Sequence, residues 1–384
     1  MKKRLRKLLS LIMVTAMGVV LLSGCGVKDV SEPESSASVE ASDAGSEAAD
    51  GENAGEITKG TEGEITKGTE GEITIYTAFE DDQIDKYLQS FYEQYPNIKV
   101  NVIRESTGTL AAKVIAEKDA PVADVVWGTA ASAILGLESY DLIKGYTPVG
   151  IEELDPKFYD TVNADAHWTG CDVLETAFLV NTELCEQMNI PVPHSFEELL
   201  DPMYEGLIVM PDPTSSGTGM LTVNGLLSMK GDAAWDYMNE LNKNIECYTT
   251  SGSKPAKMAA AGECVIGISF GYRCSTLLAD GNPVEVVFPT EGCGWDVEAN
   301  CLINKPEINP CAYTFLDWAI SDAAMLQYAT EYPITGRGII GEIPVGYSET
   351  PLENLCELDL TQAALDRDAV IKKFSPLLAG KEAQ

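Results

Sequence analysis

Histidine is almost missing from this chain: His167 and His194 are the only two in 384 residues, far apart in sequence and with no CxxC pair to join them. A tetrahedral zinc site is therefore not expected, and neither is a cofactor. The chain also lacks G-x-S-x-G, H-E-x-x-H and a P-loop, so no catalytic residue can be named and an enzyme is not expected. Positive charge is scarce, with 26 Lys and Arg against 60 Asp and Glu and a formal net charge of −34. Nucleic acid and anionic lipid surfaces are poor partners for such a protein. A local anion site is still compatible with that charge, because exposed charges are screened over about 8 Å at physiological salt.

Residues 26 to 72 have no aromatics and hardly any large apolar side chains. Such a stretch cannot bury a core, and it reads as a disordered acidic tether. Within it GEITKGTE at 55–62 recurs at 63–70, and a third copy starts at Gly71 and runs into Ile75 and Tyr76. Two octapeptides are too few for a solenoid; they read as a duplicated spacer. Ahead of the tether, Lys2, Lys3, Arg4, Arg6 and Lys7 precede an apolar run from Leu8 to Leu22. This reads as a secretory signal peptide over 1–24, too short and wrongly flanked for a membrane span. Its end, Leu22-Ser23-Gly24-Cys25, resembles a bacterial lipobox, which implies that Cys25 is lipidated and anchors the chain to the outer face of the cell membrane, or faces the periplasmic space in a two-membrane envelope. Nine cysteines remain, an odd number that cannot all pair. Several sit in apolar runs, as Cys264 and Cys301 do, where buried free thiols are the expectation.

From Ile73 onward the pattern alternates. Ile73–Thr77 reads as a strand, Glu80 or Asp81 caps a helix bearing Ile84, Leu88 and Phe91, and Pro96 stops it. A strand at Ile98, Val100 and Val102, a helix over 110–118, a strand over 123–127 and a helix over 132–140 follow. Strand and helix alternating at this spacing predict a parallel sheet covered on both faces, with ligands beyond the carboxyl ends of the strands. Thr77, Glu80 and Thr129 are placed there.

The chain is organised around residues 207–229: an apolar strand, then Pro-Asp-Pro-Thr-Ser-Ser-Gly-Thr-Gly, then an apolar helix. Small hydroxyl residues and glycines where a strand hands over to a helix gather unpaired N–H groups, hydroxyls and the positive end of the helix dipole. Ser215, Ser216, Gly217 and Thr218 are the expected floor of an anion site. A second small-residue loop, 249–255, adds Ser253, and the strand ending at Phe270 is followed by Gly271, Tyr272 and Arg273.

Taken in order, "PTSSGT", "TSGSKP", "GECVIGISFGYR" and "EGCGWDVEANCLI" resemble the solute-binding proteins of bacterial ABC importers, and within them the group that includes ferric-iron, hexose-phosphate and 2-aminoethylphosphonate binders. The resemblance covers about residues 73 to 345. It implies an α/β fold of two doubly wound lobes joined by crossing hinge strands near Cys171–Leu179 and Trp295–Leu302, a monomer that closes on a small solute and docks on the transmembrane subunits of a permease. Residues 73–174 with 297–345 would form lobe 1, and 175–296 with 346–384 lobe 2. The iron binders have adjacent tyrosines where this chain has Tyr272 and Arg273, and a guanidinium repels Fe³⁺ but suits phosphate. A phosphorylated or phosphonate ligand is the expectation, with the loop at 215–218 and Ser253 donating, Arg273 neutralising, and Thr77, Glu80, Thr129, Tyr272 and Asp296 contacting the remainder. The alternatives are ferric iron; a polyamine served by Glu80, Asp296 and Glu298; and, in other classes, a phosphoester-processing enzyme or a scaffold lipoprotein.

Overall fold

The third copy of the octapeptide repeat enters the sheet: Gly71–Thr77 is strand β1, its Ile73 and Ile75 buried against the first helix. This comes from a computed structural model that describes residues 66–381; the expected signal peptide, Cys25 and most of the tether lie outside the described residues. After β1, Glu80 caps α1 (Asp81–Gln94) through a capping box with Gln83, which satisfies two of the N–H groups that a helix start leaves unpaired. Strand β2 (Ile98–Arg104), α2 (Thr107–Ala116), β3 (Val125–Ala130) and α3 (Ala131–Glu138) complete the first run. β1 pairs in parallel with both β2 and β3.

A short β4 (Ile143–Lys144) precedes the 13-residue β5 (Thr169–Asn181), buried along its whole length. Its early residues pair antiparallel with β10 (Trp295–Ile303) and its later residues with β8 (Ile266–Phe270) and β9 (Val284–Val287). β5 therefore passes from one half of the sheet to the other, and the full order is β2-β1-β3-β10-β5-β8-β6-β7, with β4 beside β10 and β9 beside β5. The second half adds β6 (Ile208–Pro211) and β7 (Ile245–Thr249), with β6 parallel to β7 and β8. Between them run α4 (Thr182–Met188), α5 (Gly217–Lys230), α6 (Ala233–Asn244), α7 (Lys254–Ala260) and α8 (Gly271–Ala279). Helices on both faces of each half give two doubly wound lobes, and β5 and β10 cross between them where the resemblance implied the hinge.

Trp295 and Asp296 begin β10, where the backbone pairs with Glu175 and Leu174. After Phe196 the chain makes only a single 3₁₀ turn, Glu198–Leu200, since Pro202 follows too soon for a longer helix. After β10 come α9 (Pro310–Ala319) and α10 (Asp322–Tyr328), which cover lobe 1, and the long α11 (Leu360–Leu378). α11 touches both halves rather than lobe 2 alone. Leu360 joins the core around α2 and α3, while Phe374 meets Tyr248 of β7 edge-on at 5.7 Å and Lys373 lies over Trp235. All nine cysteines of the described residues are free thiols. None of the described helices is long and apolar enough to cross a membrane.

Candidate functional site

Five strands of the two lobes end at one cleft. β1 delivers Ala78 and Glu80, β2 delivers Arg104, Ser106 and Thr107, β6 leads to Ser216, Gly217 and Thr218, β7 to Gly252, and β8 ends on Phe270. Leu174 of β5 and Glu298 of β10 close the floor. The space they line, partly open to solvent, is about 40 Å³, room for roughly three waters at ~10–15 Å³ each. Larger cavities, of about 630 and 380 Å³, lie along α11. The first is lined by α5, α6 and α11, and the second by α2, α3 and α11 with Gly108 and Thr214 beside the cleft.

The feature common to the cleft walls is the start of a helix. Ser216 caps α5, its hydroxyl accepting from the Gly219 N–H at 3.3 Å, and Ser106 stands at the cap of α2. Glu80 and Phe270 hold the same position before α1 and α8. Each start brings the positive end of its helix to the lining of the space between the lobes. The lobes are in contact across it. The Gly108 N–H donates to the Ser215 carbonyl at 2.9 Å, and a Cβ on Gly217 would come within 2.6 Å of the Thr107 hydroxyl oxygen. Only glycine at 217 lets the α5 start approach α2 this closely.

Charge gathers at the mouth. Glu80 accepts from Arg104 at 2.9 Å and Lys257 at 3.2 Å, with the Arg273 guanidinium 3.5 Å away. Arg273, only 6% exposed, grips Asp82 with both terminal nitrogens, at 2.9 and 3.1 Å. Lys257 and Arg273 belong to lobe 2, and Glu80 and Asp82 to lobe 1, so these ion pairs fasten the lobes together. Burial would raise the Asp82 carboxyl, but the Arg273 hydrogen bond and charge hold it below the usual carboxylate range.

Behind the cleft the hinge strands carry buried acids. Asp172 and Glu298 stand directly opposite one another on β5 and β10, both Asp172 oxygens and Glu298 Oε2 lack a hydrogen-bonding partner, and so do both oxygens of Glu175. Burial drives Asp172 well above its ordinary range, reinforced by Glu298. Burial likewise lifts Glu298 to about 8, with Asp172 and Tyr332 opposing. Glu175 is pushed up to about 8 by burial, with Tyr347 opposing.

Of the residues singled out in the sequence, Glu80, Ser216, Gly217 and Thr218 line the cleft cavity together. Ser215 contributes its carbonyl to the lobe contact rather than a hydroxyl to the cavity. Arg273 stands at the mouth, engaged by acids, and Tyr272 beside it is buried against Tyr332 with ring centres 5.2 Å apart. Thr77 accepts from the Phe79 N–H, and Ser253 pairs with Ser251. Thr129 is buried with its hydroxyl unpartnered. Asp296 is turned to α3, accepting from the Ser132 hydroxyl at 2.5 Å. These last four do not line the cavity. Arg104, Ser106, Thr107 and Glu298 do, and apart from Glu298, weighed only for a cationic ligand, the sequence reading passed them over. A signal existed: Ser106-Thr107-Gly108-Thr109 has the same small hydroxyl and glycine composition as the 215–218 loop, at another strand end.

The family model described as "bacterial extracellular solute-binding protein" matches residues 86–340. An uncharacterized protein of Haemophilus influenzae is 30% identical over 250 residues, covering 64% of this chain and 72% of that protein. Among solved structures, the periplasmic binding protein AfuA from Actinobacillus pleuropneumoniae, with fructose-6-phosphate bound, is 27% identical with a TM-score of 0.73, covering 80% of this chain and 98% of that one. Iron-bound HitA from Pseudomonas aeruginosa, 17% identical with a TM-score of 0.67 over 80% of this chain and 99% of that one, shares the fold.

Proposed function

The chain belongs to the bacterial extracellular solute-binding proteins, the binding components that hand small solutes to ABC permeases, and from that premise we propose that its solute is a small phosphorylated or phosphonate anion held between the two lobes. The observation that carries this reading is the convergence of the α2 and α5 starts, from opposite lobes, on one cavity with Arg104 at its wall. N–H groups at helix starts and a planar guanidinium are the donors that a tetrahedral oxyanion accepts best. Hydrogen bonds to a charged group contribute about 1.5–3 kcal/mol each, and four or five sustain micromolar affinity, about −8 kcal/mol, after the cost of closure. Cys25 serves as the lipid anchor in this reading, holding the binding body near its permease.

Closure follows from the same contacts. Lobe 1 supplies Arg104, Ser106 and Thr107, and lobe 2 supplies Ser216 to Thr218; an anion that touches both sets favours the closed form, since only that form makes all the contacts. The chemistry at Tyr272 and Arg273 disfavours ferric iron, because the guanidinium occupies the place a second phenolate would need. The relative with fructose-6-phosphate bound supports a phosphate ester. Isothermal titration of the full chain with ethyl phosphate, spermidine and Fe³⁺-citrate tests the reading: saturable heat with ethyl phosphate alone is expected, and heat with spermidine alone overturns it.

A further inference from the structure

Glu298 is the one carboxylate of the cavity floor that no cation answers. Glu80 is met by Arg104 and Lys257, whereas Glu298, 5% exposed, has an oxygen with no hydrogen-bonding partner and makes no ion pair. Asp172 stands opposite it on β5, also unpartnered. Glu331, itself tied to Lys86 at 2.8 Å and to Tyr87 and Gln83, stands near this pair, as do Glu80, Glu175, Cys171 and the phenols of Tyr87, Tyr328, Tyr332 and Tyr347. Two facing carboxyls buried without a cation are tolerable if one proton lies between them. A pair so arranged offers acceptor oxygens to whatever occupies the cavity.

We propose that Glu298, backed by Asp172, is a specificity-determining acceptor that receives a proton-donating group, hydroxyl or ammonium, at the end of the ligand opposite its anionic head. This rests on the anion reading of the cleft and extends it: helix starts and Arg104 hold the oxyanion, and the hinge pair selects what is attached to it. A buried acceptor left without a donor is costly, so an anion lacking that donor leaves the floor unsatisfied and binds less well. Selection by an unmet acceptor is stronger than selection by shape in so small a space.

Three matched probes separate the possibilities: ethyl phosphate, 2-hydroxyethyl phosphate and 2-aminoethyl phosphate, titrated calorimetrically into the full chain and into its E298Q and D172N variants at pH 7, with circular dichroism as the check on folding. In the wild type, at least one donor-bearing probe should bind about tenfold or more tightly than ethyl phosphate, the factor that a charge-assisted hydrogen bond conveys. A preference for the amine identifies an ammonium, and a preference for the alcohol a hydroxyl. In E298Q that preference should shrink to within about threefold, with the favoured donor-bearing probe losing more affinity than ethyl phosphate. D172N, which keeps Glu298 in place, should reduce the preference less, and it serves alone if E298Q does not fold. Equal binding of all three probes to the wild type, or an equal loss of all three in E298Q, overturns the inference and leaves the anion reading standing. Failure of all three to bind overturns both.

Discussion

Arg104 and Arg273 bring the same charge to one cleft, but what holds each of them gives them different work. Arg104 lines the cavity and leans on Glu80 and the Phe79 carbonyl, so R104A should lower the affinity for ethyl phosphate about tenfold or more by removing a charged donor; calorimetry measures it. Arg273 is committed to Asp82 of the opposite lobe, so R273A should act on closure: a larger radius of gyration for the ligand-free protein by small-angle scattering, with affinity lowered by less than in R104A. Among the buried acids, Glu175 sits with a folded-state pKa of about 8, above the ~4.3 of an unfolded glutamate. The folded state then holds a proton that the unfolded state has released, so this stabilising contribution is full below the unfolded pKa and is lost as pH rises toward 8. E175Q, which keeps the neutral shape, should flatten the decline of the melting temperature between pH 5 and 8 in a scanning-fluorimetry series, and an unchanged slope would contradict it.

At the scale of elements, the glycines next to helix starts divide into two kinds. A Cβ on Gly252 would meet the Thr218 hydroxyl at 2.1 Å within lobe 2, and one on Gly217 would meet Thr107 across the cleft. G252A should therefore lower the melting temperature, whereas G217A should leave it nearly unchanged and hold the lobes apart, read as a larger radius of gyration. The strand-loop-helix units that build the cleft were legible because apolar alternation, proline stops and small-residue loops are local signals. The hinge crossings were legible only through the resemblance, since thirteen consecutive buried positions of β5 show no alternation that marks the strand's passage between lobes. Arg104 escaped notice because its role depends on β2 lying parallel to β1, a pairing no local pattern announces. Arg273 was assigned to the ligand because nothing in the sequence places Asp82, 191 positions away, within reach of it. The α9 and α10 helices and α11 went unread because their burial is set by the lobes they cover. Phe374, 1% exposed against Tyr248, shows how firmly α11 is held: F374A should cost about 3–5 kcal/mol in urea unfolding.

The whole molecule joins an acidic body to a cleft whose walls supply positive ends. The negative surface offers a small anion no long-range steering, so capture rests on donors inside the cleft, and the association rate should be less salt-sensitive than electrostatic steering would make it. The proposed closing draws on both lobes: the α2 start belongs to one and the α5 start to the other, β5 and β10 connect them, and α11 touches both halves from outside the cleft. The most direct test of this account is calorimetric titration of ethyl phosphate into the wild type and G217A side by side. The account predicts a single saturable site of micromolar strength in the wild type, at ~−8 kcal/mol, and affinity at least about tenfold weaker in G217A, where the two helix starts can no longer meet on one anion. Equal affinity in the two proteins, or no heat in the wild type, would contradict it.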